Sequence, residues 1–133
     1  MPPSPIPEKP VPIDDATLWS LCRDTEFRHR LAFLALGRGL ARQIHVMRRA
    51  RGWTQKELAV RVGVSQSRIV VLEQWCGNVS LKTLRRIAVV FDVALIVRFV
   101  SWGEFFLTLG REPEAPSSFD EEHAALARTE ASQ

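Results

Sequence analysis

The stretch that most constrains this chain is Thr54 to Gln74, TQKELAVRVGVSQSRIVVLEQ, whose small, glycine and apolar residues are spaced for two short helices meeting at a fixed sharp angle. Thr54 followed three residues later by Glu57 has the form of a capping box, and Trp53 and Leu58 occupy the hydrophobic-staple positions on either side. The first helix therefore starts at Thr54. Ala59 is small where two helices must approach closely, and Gly63 can take the left-handed conformation that ends a helix and turns the chain. Ser65 then caps a second helix. In it Ile69 and Leu72, three residues apart, face inward, which leaves Gln66, Ser67, Arg68 and Val71 pointing away from the core.

That arrangement is a helix-turn-helix, and the block resembles the lambda-repressor-like (Cro-like, XRE) family at Gln55, Ala59, Gly63, Ile69 and Leu72-Glu73. Flanking segments carry the resemblance from about Leu36 to Val93, with RRARGW before the motif and SLKTLRRIAVVFDV after it. The resemblance implies a mostly α fold, a helical DNA-binding domain followed here by one C-terminal strand, and it implies binding to double-stranded DNA. In the family a basic residue at the position of Arg48 pairs with a glutamate at the position of Glu73, so the resemblance assigns these two a structural ion pair rather than a reading role. A lone charge near a core is costly, so removing either partner should destabilise the fold. The family's residue at the position of Gln55 grips the phosphate backbone, which sets register rather than sequence, and its neighbours Thr54 and Lys56 are assigned to phosphate with it.

The outward residues of the second helix have the chemistry of base readers. An amide such as Gln66 pairs bidentately with adenine in the major groove, Arg68 pairs with guanine or a phosphate, and Val71 can touch a thymine methyl, with Ser67 beside them. Charge agrees with this. From Arg23 to Arg98 there are 15 Lys/Arg against 5 Asp/Glu, whereas from Arg111 onward there are 2 basic and 6 acidic residues, so a net charge of +3 conceals a basic domain and an acidic tail. A basic surface releases counterions from DNA when it neutralises phosphates.

The remaining segments are read around this block. With 133 residues there is room for one compact domain plus tails, and 46% apolar content is that of a globular protein. Residues 1–13 hold six prolines, which deny helix and ladder hydrogen bonds and predict a disordered arm. Residues 14–35 predict a helical extension: Asp14 or Asp15 caps a short helix carrying Leu18, Trp19 and Cys22, and a second helix starts near Thr25 or Glu26. This second helix runs to Arg51 with a bend expected at Gly37-Arg38-Gly39, and Arg38, Arg42, Arg49 and Arg51 are left for solvent or phosphate. Residues 36–92 form the DNA-binding domain. Ser80 caps its last helix, and Asn78, Ser80 and Lys82 lie at a helix start that suits a phosphate, although for Ser80 capping alone is an equal reading.

Val93 to Val100, VALIVRFV, is rich in branched and aromatic residues and reads as a strand, the alternative being a buried helix. A solitary strand leaves its backbone groups unpaired, so the expected partner is its own copy in a homodimer, as in the part of the resembling family that includes several antitoxins. Ser101-Trp102-Gly103-Glu104 has the form of a second capping box, opening a short helix that ends at Gly110. Residues 93–110 are thus assigned to dimerisation through Leu95, Val97, Phe99, Trp102, Phe105 and Phe106. Residues 111–133 predict a flexible acidic tail in which Ser118 and Glu121 can start a brief helix.

Other functions find little support in the residues. Cys22 and Cys76 lack zinc or redox spacing and read as reduced core residues, and His29, His45 and His123 are scattered without metal-ligand spacing. No phosphate-binding glycine loop or nucleophile with a base is present, so neither an enzyme nor a cofactor is expected. No apolar run approaches the roughly 18 to 20 residues that span a bilayer, and the start lacks a leader pattern, so a cytoplasmic protein, bacterial or phage-encoded, is expected. Two functions remain, a sequence-specific repressor and an antitoxin that also neutralises a partner protein.

Overall fold

A computed structural model of the protein describes residues 14–111 and 114–133, and the proline-rich arm expected over 1–13 lies outside them. Among the described residues the chain is helical: α1 Asp15–Leu21, α2 Thr25–Ala50, α3 Gln55–Val62, α4 Gln66–Leu72, α5 Leu81–Phe91, α6 Trp102–Thr108 and α7 Phe119–Ala131. Every one begins at a side-chain cap. Asp14, Asp24, Thr54, Ser65, Ser80, Ser101 and Ser118 each accept a hydrogen bond from the backbone N–H three residues on, so orphan amides at each start are satisfied locally. The reciprocal half of the box forms only at Ser118, whose N–H donates to the Glu121 carboxylate at 3.2 Å. At Ser101 the expected partner is diverted, because Glu104 instead accepts from Arg98 Nη2 at 2.6 Å.

The core sits where α2 through α5 meet. Ala41, Ile44 and Met47 from α2 pack with Leu58, Ala59 and Val62 from α3, Ile69 and Leu72 from α4, Cys76, and Ile87 and Phe91 from α5. Gly63 ends α3 at φ 81°, and its N–H and that of Val64 both donate to Ala59 O, which turns the chain into α4. Arg86 on α5 reaches across to donate to Val62 O at 2.6 Å and Gly63 O at 3.2 Å, satisfying carbonyls that the end of α3 leaves open. Asp92, with φ 54°, stops α5.

The expected bend at Gly37-Arg38-Gly39 is absent, and α2 runs unbroken for 26 residues. Gly37 serves close approach instead. Trp75 packs against both Gly37 and Gly77, and a Cβ on either would clash with its indole ring. Cys76 N–H then donates to Gly37 O at 2.9 Å, and Phe33 meets Trp75 edge-on at 5.2 Å, so the loop after α4 is clasped to the middle of α2. Gly39, by contrast, has open space around it.

A second, smaller cluster lies beyond this core. Trp19 of α1 meets Phe106 of α6 at 4.9 Å, and His29 of α2 meets Trp102 at 5.2 Å, so α6 closes on the N-terminal extension of its own chain. Between α5 and α6, residues 93–100 are neither helix nor strand, because no described segment offers them a ladder. Within the acidic tail, the brief helix expected from Ser118 and Glu121 is α7, which runs on to Ala131. It is anchored at its start, where Phe119 N–H donates to Asp92 O and Arg51 Nη2 donates to Pro116 O.

The two glycines of α2 predict opposite effects of one substitution. Gly37→Ala should lower stability by about 1–3 kcal/mol through overpacking against Trp75. Gly39→Ala should raise it by up to about 1 kcal/mol, since alanine is the better helix former in open space. Urea midpoints at unchanged slope check both, and equal shifts would contradict the clasp. Burial also pushes the Cys76 thiol up from its ordinary 9.0 to about 11. The unfolded chain therefore ionises this thiol first, and stability should be intact below pH 9 and decline as pH rises towards 11, a decline that Cys76→Ala should remove.

Candidate nucleic-acid interface

The candidate interface is built on a buried carboxylate. Glu73, at the end of α4, has a side chain 4% exposed, and Arg48 of α2, 8% exposed, donates from Nε to its Oε1 at 2.6 Å. Gln55 at the start of α3 donates from Nε2 to the other oxygen, also at 2.6 Å, and His45 Nδ1 lies 3.3 Å from Oε1. Arg48 further donates from Nη1 to Trp53 O at 2.7 Å. One carboxylate thus joins α2, α3 and α4, and a charge that would be costly alone is fully partnered.

That joint determines which side of α4 faces out. Ile69 and Leu72 are buried, whereas Gln66, Ser67, Arg68 and Val71 are exposed together on the opposite side, and Gln74 is exposed just beyond them. The cap at Ser65 occupies that hydroxyl with Arg68 N–H at 3.1 Å, leaving the Arg68 side chain in solvent. An amide, a hydroxyl, a guanidinium and a methyl-bearing side chain on one short helix can address the donor, acceptor and methyl pattern of a major-groove edge.

Of the side chains assigned to phosphate, Lys56, Asn78 and Lys82 are exposed. Gln55 is half-buried, with one amide N–H taken by Glu73 and the other left to donate. Thr54 accepts from Glu57 N–H at 3.1 Å and keeps its own O–H. Ser80 is more fully used, since it accepts from Thr83 N–H and donates to Thr83 Oγ1 at 3.0 Å, so its hydroxyl is engaged in capping. Of the side chains assigned to dimerisation, Leu95, Val97 and Phe99 are exposed, while Trp102, Phe105 and Phe106 are half-buried within their own chain.

Several residues contribute through contacts that the sequence did not reveal. Arg51, read as available to phosphate, instead donates to Met47 O and Phe91 O and lies over the Phe91 ring at 4.8 Å. Trp53 is stacked on Phe91 at 5.6 Å and covered by the Arg61 guanidinium at 4.2 Å. His45, Arg86 and Trp75 take positions that depend on partners 24 or more residues away in sequence.

Capped α3, the left-handed turn at Gly63 and the outward face of α4 define a helix-turn-helix domain. Residues 44–97 match the model of a family described as helix-turn-helix, a span from the second half of α2 into the segment after α5. The match supports a DNA-binding regulator. No curated protein matches the chain. Among the described residues no helix is long and apolar enough to cross a membrane.

Arg48→Ala should cost about 3–5 kcal/mol of folding stability, because it strands the Glu73 carboxylate in the core. Gln55→Ala, which removes one neutral donor and leaves the ion pair, should cost only about 1.5–3 kcal/mol, the range for a hydrogen bond to a charged group. Thermal melts of both variants check the order. An Arg48→Ala protein with wild-type stability and weakened DNA binding would move Arg48 from the scaffold to the interface.

Proposed function

We propose that this chain is a sequence-specific transcriptional regulator that acts as a repressor, binding an inverted repeat as a homodimer with α4 in the major groove. The observation that carries this reading is the exposed face of Gln66, Ser67, Arg68 and Val71 on a helix held in place by Ile69, Leu72 and Glu73. Phosphate contacts by Lys56, Asn78, Lys82 and the remaining N–H of Gln55 would set register, while α4 supplies specificity. The homodimer reading is supported by residues 93–100, where Ile96 is 78% exposed and Phe99 fully so, in a run of branched and aromatic side chains with no ladder to any other described residue. Antiparallel pairing of this segment with its copy would give the facing edge of each backbone a partner and present two copies of α4 to half-sites about one helical turn, roughly 34 Å, apart. Acting this way the protein would work in the cytoplasm on promoter DNA.

An antitoxin role would use the same DNA-binding face and add a second protein on the C-terminal third. A stoichiometric partner purifying with the chain from its native operon would favour it.

The test is a binding selection on random duplex DNA at two salt concentrations, with wild type beside Gln66→Ala and Arg68→Ala. An inverted repeat should emerge for the wild type, and Gln66→Ala should weaken cognate binding by about 1–3 kcal/mol and relax one base position per half-site. Binding that is strongly salt-dependent, indifferent to sequence and unchanged by either substitution would reduce the domain to a phosphate-binding surface.

A further inference from the structure

We propose that the apolar groove between the N-terminal half of α2 and residues 97–105 receives helix α7 of a second copy of this chain. The groove has a volume of about 680 Å³ and is lined by Phe33, Leu36, Phe99 and Phe105 among others, together with His29 and an Arg98 whose charge is already met by Glu104 at 2.6 Å. Phe33 and Leu36 remain about half exposed, in a half of α2 where Phe27 and Leu34 are exposed as well. The complementary surface is α7. Phe119 and Leu126 are 65% and 64% exposed, His123 stacks on Phe119, and the spacing of four and three places all three on one side of the helix. Around them stand Asp120, Glu121, Glu122 and Glu130 against a single Arg128. The apolar side of such an amphipathic helix suits an apolar groove, while its acidic side stays in solvent.

The chain cannot use its own α7 for this. The start of α7 is fastened at Pro116 and Phe119 to Arg51 and Asp92. Arg51 lies 18 residues along α2 from Phe33, about 27 Å at the helical rise, whereas α7 itself spans only about 20 Å. Arg111 and Pro116 line cavities along the stretch of α2 between the two points, so these two residues already occupy that surface. A second copy removes the obstacle. Antiparallel pairing of residues 93–100 sets the beginning of that segment in one chain beside its end in the other. An α7 anchored at Asp92 then emerges next to the groove that Phe99 and Phe105 line in the second copy. This docking rests on the dimer reading above, and by symmetry it occurs twice in each dimer.

The experiment measures dimer dissociation of the full chain by sedimentation equilibrium. Wild type is compared with Phe119→Glu/Leu126→Glu, with Ala124→Glu on the opposite side of α7, and with Ile96→Pro, which denies the 93–100 segment a ladder hydrogen bond. A mixture of a Leu36→Cys chain with a heavier, tagged Leu126→Cys chain is then oxidised. The native cysteines are buried and stay out of that reaction. Docking predicts at least a tenfold higher dissociation constant for Phe119→Glu/Leu126→Glu, a change under twofold for Ala124→Glu, and a disulfide joining the light and heavy chains. A dimer that weakens with Ile96→Pro but not with the α7 variant, and that gives no cross-link, overturns the docking and leaves the 93–100 interface standing. A wild type that sediments as a monomer, or a dimer indifferent to both variants, overturns both.

Discussion

A carboxylate held out of water is the constraint from which the rest of this domain follows. The Glu73 carboxylate cannot be left unpartnered in the core without cost, and its three partners come from two other elements: Arg48 and, one turn before it, His45 on α2, and Gln55 on α3. Apolar contacts alone would let α4 rotate by part of a turn at modest cost, because Ile69 and Leu72 are only two anchors on a seven-residue helix. A hydrogen-bonded charge pair is directional and does not tolerate that rotation. The orientation of the outward residues is therefore set by an interaction they take no part in.

How much of this was legible in the sequence follows from the range of each interaction. Caps at Thr54, Ser65, Ser80, Ser101 and Ser118 act over three residues, and the structure has a helix starting at each. The turn at Gly63 is equally local. Gly37 was misread as a bend because a mid-helix glycine can relax a helix or admit a neighbour, and only the position of Trp75, 38 residues on, decides between them. The capping box at Ser101 failed in its second half for a similar reason, since Arg98 offers Glu104 a charged partner that a backbone amide cannot match. Residues 93–100 are a different case. Their composition suits a ladder, and the second strand of that ladder is not among the described parts of one chain.

Charge was legible as a total and opaque as to use. The surplus of basic residues between Arg23 and Arg98 suggested a broad phosphate-binding surface. Several of those residues are employed inside the protein: Arg48 neutralises Glu73, Arg51 ties the ends of α2 and α5 to the tail, and Arg86 closes the end of α3. Each satisfies carbonyls or a carboxylate that the fold would otherwise leave open, and a guanidinium suits this because it presents several donors in a fixed plane. The number of cations left free at the surface is thus smaller than composition implies.

The segment after α5 links this domain to whatever lies against it. Only Asp92, in a left-handed conformation, separates α5 from Val93, and Val93 N–H donates back to Ala88 O while Asp92 O accepts from Phe119 N–H. Residues 93–100 therefore leave the core on a short, hydrogen-bonded connection rather than a flexible linker. A protein surface formed there is rigidly coupled to α5, and through Arg86 and the core to α3 and α4. If two copies meet along this segment, the distance between their reader helices is a property of the interface and not of a linker, so recognition of half-site spacing and formation of the dimer would be one structural event.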